Sequence, residues 1–308
     1  MSILLDRETR VVVQGLTGRE GSFHARIMRD YGTRIVAGVT PGKGGRDHES
    51  IPVFDTVAQA RAATGAEAGI VFVPRVRAAD SLVEAIRAGL RLVVCTADGI
   101  PAHDMLLVRA IAKEAGCTVV GPNCPGLISP GKSKLGFMPS HVHAAGPVGI
   151  LSKSGSLSYE AAWELTRAGI GQSTVVGIGG DAVKGVGYTE LLPLFAEDPE
   201  TRLIVLLGEI GGEDEQLAAE WLSTHRIRKP VIAYLVGRSA PPSVRIGHPG
   251  TVFLRQGGGT GFDDKLDRLR QAGVEIVNSP WELAERAARA LERVSRDLWP
   301  GAAGWRKA

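Results

Sequence analysis

Nowhere do the 308 residues string together the roughly 18 apolar side chains that a membrane-spanning helix requires, so no span is expected. Cysteine is scarce, at three residues: Cys95, Cys117 and Cys124. Their number is odd and no two stand in a C-x-x-C spacing. That argues against a disulfide scaffold and against a structural zinc site, and leaves buried, reduced thiols as the plain reading. Aromatic residues are few, at 5%. Neither sign of charge dominates: 36 basic against 33 acidic residues leave a net +3. Such a balance gives no footprint for nucleic acid, although a local basic pocket for a phosphorylated small molecule stays open. The opening Met1-Ser2-Ile3-Leu4-Leu5-Asp6 meets a charge too soon for a secretory signal. A cytoplasmic protein is expected, or an organellar one after removal of a transit peptide.

Glycine is plentiful, at 40 residues, and 44% of the chain is hydrophobic, enough for one large or two medium cores. Short β-branched runs at Arg10–Val13, Arg34–Val39, Gly69–Val73, Leu90–Cys95 and Thr118–Val120 alternate with helical spacing, as in Ala79–Ala88 and Met105–Ala115. The segment Gly121–Gly146 interrupts the rhythm with Pro122, Pro125, Pro130 and Pro139, and reads as a crossing between domains. Alternation then resumes. Strands are expected at Val148–Leu151, Thr174–Ile178, Leu203–Leu207, Val231–Val236 and Glu275–Val277. Helices are expected at Leu157–Arg167, Thr189–Glu197, Glu213–His225, Asp263–Ala272 and Trp281–Val294. Strand–helix alternation implies an α/β protein of two doubly wound, parallel-sheet domains, which we divide as 1–129 and 130–308. The glycine-rich stretch from Gly237 to Gly261 is long for a compact domain, and such loops carry function.

Several strand ends carry glycine with a charged or hydroxyl residue. Gln14-Gly15-Leu16-Thr17-Gly18-Arg19-Glu20-Gly21 leads from the first strand into a helix, whose free N–H groups suit a phosphate; a tight turn without ligand is the alternative. Thr40-Pro41-Gly42-Lys43-Gly44-Gly45 follows the second strand, so Lys43 either meets a phosphate or stands solvated. Ser152-Lys153-Ser154-Gly155-Ser156 offers another anion-binding helix start, or simple capping by a serine. Gly179-Gly180-Asp181 and Glu209-Ile210-Gly211-Gly212 place carboxylates just past strand ends. His248 lies in the long loop as a candidate nucleophile or base, although a lone loop histidine is more often a surface residue. Gly126-Leu-Ile-Ser-Pro-Gly131-Lys132-Ser133 spells G-x-x-x-x-G-K-S, but Pro125 and Pro130 and the absence of a following helix speak against a nucleotide-binding P-loop.

Taken in order, the runs Gly38–Gly45, Gly121-Pro122-Asn123-Cys124-Pro125-Gly126, Gly171–Thr174, Gly177–Asp181 and Gly208–Gly212 resemble the α subunits of succinyl-CoA synthetases along nearly the whole chain. The resemblance implies a Rossmann-like CoA-binding domain over 1–129, followed by a flavodoxin-like ligase domain over 130–308. It implies an ATP-grasp β subunit, in an αβ or (αβ)2 complex, which binds ATP or GTP with magnesium and phosphorylates His248. Glu209 would orient that ring. Thr17, Gly18, Arg19, Glu20, Lys43, Thr96, Ala97 and Asp98 fall on the CoA-contact positions. By the same resemblance Asn123, Ser154, Gly155 and Tyr159 would border the reacting dicarboxylate and its phosphate, and no metal ligand is expected on this chain.

Departures from the family pattern gather near these positions: Glu20 for a usual Gln, Lys153 for a usual Arg, Ala97-Asp98 for Thr-Glu, Pro249 and Thr251 for alanines, and an altered Leu254–Gly261. They leave open a paralogue acting on malate, itaconate or citrate. Two further readings compete. A CoA-binding regulator without catalysis is disfavoured by the retention of His248 and Glu209. A nicotinamide dehydrogenase is disfavoured because the first loop is not G-x-G-x-x-G and Val39-Thr40-Pro41 stands where a ribose-binding acid would be.

Overall fold

The computed structural model describes residues 2–240, 248, 251 and 261–298, with side chains as far as 294. The first half builds β1 (Arg10–Gln14), β2 (Arg34–Val39), β3 (Asp47–His48), β4 (Ile51–Phe54), β5 (Ala68–Val71), β6 (Leu92–Cys95) and β7 (Thr118–Val120). Between them run α1 (Arg19–Tyr31), α2 (Val57–Thr64), α3 (Arg75–Arg87) and α4 (Ala102–Ala115). The strands lie in the order β3-β4-β2-β1-β5-β6-β7. Neighbours are parallel except β3, which runs antiparallel to β4. β5 and β6 read Ala-Gly-Ile-Val and Leu-Val-Val-Cys and are buried at every residue, as a sheet covered on both faces demands. The order reverses between β1 and β5, so the loop after β1 opens into the crevice of a Rossmann-like sheet.

The second half builds β8 (Gly126–Ser129), β9 (Ser133–Gly136), β10 (Ala145–Ser152), β11 (Gln172–Gly177), β12 (Leu203–Glu209), β13 (Val231–Val236) and β14 (Glu275–Val277). Its helices are α5 (Gly155–Arg167), α6 (Tyr188–Glu197), α7 (Asp214–Thr224), α8 (Phe262–Gln271) and α9 (Pro280–Leu298). The sheet order is β14-β13-β12-β10-β11-β8-β9, whose parallel part, β14 to β11, has the flavodoxin-like winding. Here the order reverses between β10 and β12, so the loops after those two strands flank the crevice.

The proline-rich crossing holds more structure than its composition suggests. β8 and β9 form a hairpin, buried along both strands, that runs antiparallel to β11 at the sheet edge. Its prolines fall before, between and after the strands, never inside them, so no ladder donor is lost. The hairpin spans the division expected at 129/130, and by pairing Gly126–Ser129 goes with the second sheet. The G-x-x-x-x-G-K-S run is this hairpin rather than a strand, loop and helix. Lys132 at its turn donates to the Ser2 hydroxyl and pairs with Glu200. Among elements not expected are β3, β4 and α2, the last capped by the Thr56 hydroxyl, which accepts from the Gln59 N–H.

All three cysteines are buried and free. Burial pushes the Cys95 thiol up to about 12 and that of Cys117 up to about 11, which keeps them protonated and unreactive. No helix among the described residues is long and apolar enough to cross a membrane.

Candidate active site

In the first sheet the candidate residues gather on the loops after β1, β2 and β6. Gly15 has φ +82°, and a Cβ there would lie 2.3 Å from the Phe72 carbonyl oxygen; one on Gly21 would lie 2.2 Å from that of Gly15. These two glycines let α1 start close beneath the loop. Gly18 stands at the N-cap of α1 with no side-chain cap, so the first N–H groups of the helix are free for an anion. Lys43 Nζ donates to the Thr17 hydroxyl at 3.0 Å, and Thr17 and Thr40 hydroxyls lie 3.2 Å apart. The two loops thus form one exposed polar cradle with a cation in it. Arg19 and Glu20 are exposed on the first turn of α1. The Glu20 carboxylate lies 3.6 Å from His24 Nε2, whose pKa burial lowers against the opposing pull of Glu20. Thr96 and Ala97 are half-buried and Asp98 exposed, just past β6.

In the second sheet the crevice holds the histidine. Nδ1 of His248 lies 2.8 and 3.0 Å from the two oxygens of Glu209, the last residue of β12. Glu209 is 8% exposed and the His248 side chain 28%. The hydrogen bond to Glu209 raises the His248 pKa despite partial burial; Asp181 adds to the rise and Lys153 opposes it. With Nδ1 committed, the histidine has one ring nitrogen left for chemistry, and the carboxylate fixes which. Gly180 supplies the floor of this site, since a Cβ on it would lie 2.0 Å from His248 Cγ.

A charged layer lies beneath the pair. Lys153, 4% exposed, sits 4.0 Å from Glu209, 3.2 Å from Asp214 and 3.3 Å from Glu215, and donates to the Gly211 carbonyl at 3.1 Å. Burial works against its charge, but Glu215, Asp214 and Glu209 together outweigh that and raise its pKa. Lys184 joins Asp214 to the Asp181 carbonyl, both at 3.1 Å. Lys265 of α8, fully buried, reaches Glu209, Gly211 and Glu215.

Asn123 joins the two halves. Its N–H donates to the Ala97 carbonyl at 2.8 Å and its side-chain amide to Asp181 at 2.9 Å, from a backbone at φ +51° that asparagine tolerates well. Burial raises the Asp181 pKa, with Asp98 contributing from the first sheet's loop. Ser154 caps α5, accepting the Leu157 N–H at 3.4 Å. Gly155 opens the helix toward Pro125, and the Tyr159 hydroxyl, from one turn further on, lies beside it. Burial pushes the Tyr159 hydroxyl up to about 12, so it stays a hydrogen-bond donor.

Lys153 stands where the family usually has Arg, in a run that reads as an anion-binding helix start. The structure instead turns it inward onto protein carboxylates. Gly180, Glu215 and Lys265 were not singled out as site residues. Lys265 could not have been: Phe262-Asp-Asp-Lys-Leu-Asp-Arg-Leu-Arg reads as a solvated charged helix, and only packing of α8 against α7 and β14 buries its lysine. Pro249 and the altered 254–260 run lie outside the described residues. Thr251 donates its hydroxyl to the His248 carbonyl at 2.8 Å. Among the described residues, no cluster of three or more His, Cys, Asp or Glu side chains is arranged to hold a metal ion.

Comparison with known proteins places both halves. Residues 6–99 match the CoA binding domain family and residues 151–274 the CoA-ligase family. Over 294 residues the chain is 48% identical to the succinate–CoA ligase [ADP-forming] subunit alpha of Aquifex aeolicus, covering 95% of each chain. It is 49% identical over 291 residues to subunit alpha 2 of the same enzyme from Archaeoglobus fulgidus, covering 94% of this chain and all of that one. Among solved structures it superposes on an ATP citrate lyase from Methanothrix soehngenii in complex with citrate and coenzyme A. The TM-score is 0.86 at 25% identity, over 99% of this chain and 52% of the lyase, about half its length.

Proposed function

Because this chain belongs to the family of succinate–CoA ligase α subunits, we propose that it joins succinate or a close dicarboxylate to CoA in the cytoplasm, through a phosphoryl group carried on His248. The observation that carries the reading is the Glu209–His248 pair, which holds Nδ1 and leaves Nε2 to accept phosphate. A β subunit delivers the nucleotide with magnesium, and the ADP-forming names of the relatives support ATP.

The chemistry runs in three balanced steps. Nε2 attacks the terminal phosphorus of ATP, the P–O bond to ADP breaks, and Glu209 stabilises the positive charge left on the ring. A carboxylate oxygen of the acid then attacks phosphorus, the P–N bond breaks, and an acyl phosphate forms with His248 restored. The CoA sulfur attacks the acyl carbon, the C–O bond to phosphate breaks, and the departing phosphate takes up the thiol proton, giving the thioester. Gly155, the first residue of α5 behind the Ser154 cap, turns the N-terminus of that helix, with its partial positive charge, toward the anionic intermediates. Asn123 and Tyr159 border the acid. Thr17, Gly18, Arg19, Glu20 and Lys43 hold the phosphates of CoA, and Thr96, Ala97 and Asp98 guide its arm. The Asn123–Ala97 hydrogen bond supports this arrangement by joining the two loops across which sulfur and acyl carbon meet.

The test uses the chain co-purified with its β subunit, given ATP, magnesium and CoA with succinate, malate, itaconate or citrate, and identifies thioesters by mass spectrometry. One dicarboxyl thioester is expected, with acid-labile phosphate on His248 in its absence. His248→Asn should abolish both and leave the fold intact. A variant that still turned over would overturn the mechanism.

A further inference from the structure

Glu209 ends a strand, and nothing in a strand end alone fixes the direction of its side chain. Both backbone polar groups of Glu209 are nevertheless held by side chains from two different helices. Its N–H donates to Glu215 Oε1 at 3.2 Å, from α7. Its carbonyl accepts from Lys265 Nζ at 3.0 Å, from α8. Lys265 and Glu215 are paired with each other and are 0% and 2% exposed, which closes a ring around one residue. The third Lys265 donor goes to the Gly211 carbonyl at 2.6 Å, so the ammonium has no hydrogen left over and fixes the turn after Glu209 as well. Gly208 makes room: a Cβ there would lie 2.6 Å from Glu215 Oε1. Burying an ion pair costs desolvation, and an apolar pair of the same volume would stabilise the fold as well or better. What this pair supplies is geometry.

We propose that Lys265 and Glu215 are positioning residues for catalysis, holding the Glu209 backbone so that its carboxylate addresses Nδ1 of His248. α8 begins at Phe262, so the same lysine ties this helix to β12 beneath the histidine. The inference rests on the phosphohistidine reading above, and its test separates the two.

The charge-balanced double variant Lys265→Met with Glu215→Gln keeps an acceptor for the Glu209 N–H and frees its carbonyl. The His248 ring is titrated by NMR in the chain alone, where Glu209, Lys153 and Asp181 are the charged groups that act on it. Phosphorylation by ATP is timed with the β subunit present. In the folded double variant the His248 midpoint falls toward that of free histidine. Phosphorylation slows by about 10²-fold, the scale of a misplacement near 1 Å, while KM for CoA is unchanged. Gly208→Ala, which displaces the Glu215 carboxylate without removing a charge, shifts both readings the same way and serves if the double variant does not fold. A folded variant with wild-type titration and wild-type phosphorylation overturns the proposal. Failure of the wild-type chain to become phosphorylated would instead overturn the functional reading, and the titration would still judge the positioning.

Discussion

The place where Gly180 would carry a side chain is taken by the imidazole of His248, 2.0 Å from where a Cβ would stand. The ring is therefore set from two directions, by the Glu209 carboxylate on Nδ1 and by bare backbone against its carbons. Gly180→Ala should leave the sheets intact, since the added methyl meets a loop residue rather than the core, and should move the ring off Glu209. The expected outcome is a fall in phosphorylation of about 10²-fold with little change in the unfolding midpoint, measured by phosphate incorporation and thermal denaturation on the same preparation. Phosphorylation at the wild-type rate would mean that the ring has another resting place. Sequence reading reached His248, Glu209 and the Gly-Gly-Asp run. It could not reach the contact between Gly180 and His248, because 68 positions of chain separate them and no spacing rule spans that.

At the scale of elements, helix and strand were legible wherever their periods were long. The flanks of β1, β2, β7, β13 and β14 and the bodies of α3 to α7 and α9 fall where alternating strand and helix patterns place them, α8 is marked out by position more than by apolar spacing, and α1 only by the glycine loop before it. The β8–β9 hairpin does not. Its strands are four residues each, lie among prolines and begin and end on Gly126 and Gly136, which face each other across the ladder. A Cβ on Gly126 would come 1.9 Å from the Leu135 carbonyl oxygen, at a backbone φ of +91°. Gly126→Ala should therefore cost at least about 2 kcal/mol, the sum of positive-φ strain and a backbone collision. Gly131, in the turn between the strands, has only an ordinary contact near its Cβ position, 3.8 Å away, so Gly131→Ala should cost about 1 kcal/mol. Urea denaturation of the two variants side by side checks the difference. Equal losses would remove the glycine pair from the account.

At the scale of the whole molecule, the two sheets meet at several places, two of which turn on a single residue. One lies at the candidate site: Asn123 carries hydrogen bonds from the loop after β6 to Asp181 after β11. The other is structural, where α1 and the start of β2 lie against the hairpin. There the Thr33 hydroxyl donates to the Lys134 carbonyl at 2.7 Å and accepts the Lys134 N–H at 3.2 Å, all buried. Thr33→Val keeps the shape and strands both groups of Lys134, a loss of about 1–3 kcal/mol. The expected result is a lower urea midpoint with an unchanged slope, and unchanged CoA binding by calorimetry. Wild-type stability would show that the seam is held elsewhere.

What the chain determines without its tertiary structure is local or nearly so. Alternating strand and helix periods call for parallel sheets, glycine and hydroxyl residues at strand ends call for anion loops, and no span or disulfide framework can be written with these residues. The fold decided how the distant residues meet. Reversal of strand order between β10 and β12 brings Lys153 beside Glu209, although 56 positions part them. Docking of α8 then buries Lys265, one charge among several on a charged helix, against Glu215. The reason is physical: periodicity reports which face of an element is apolar, whereas a buried ion pair exists only where two elements already packed for other reasons leave no room for solvent.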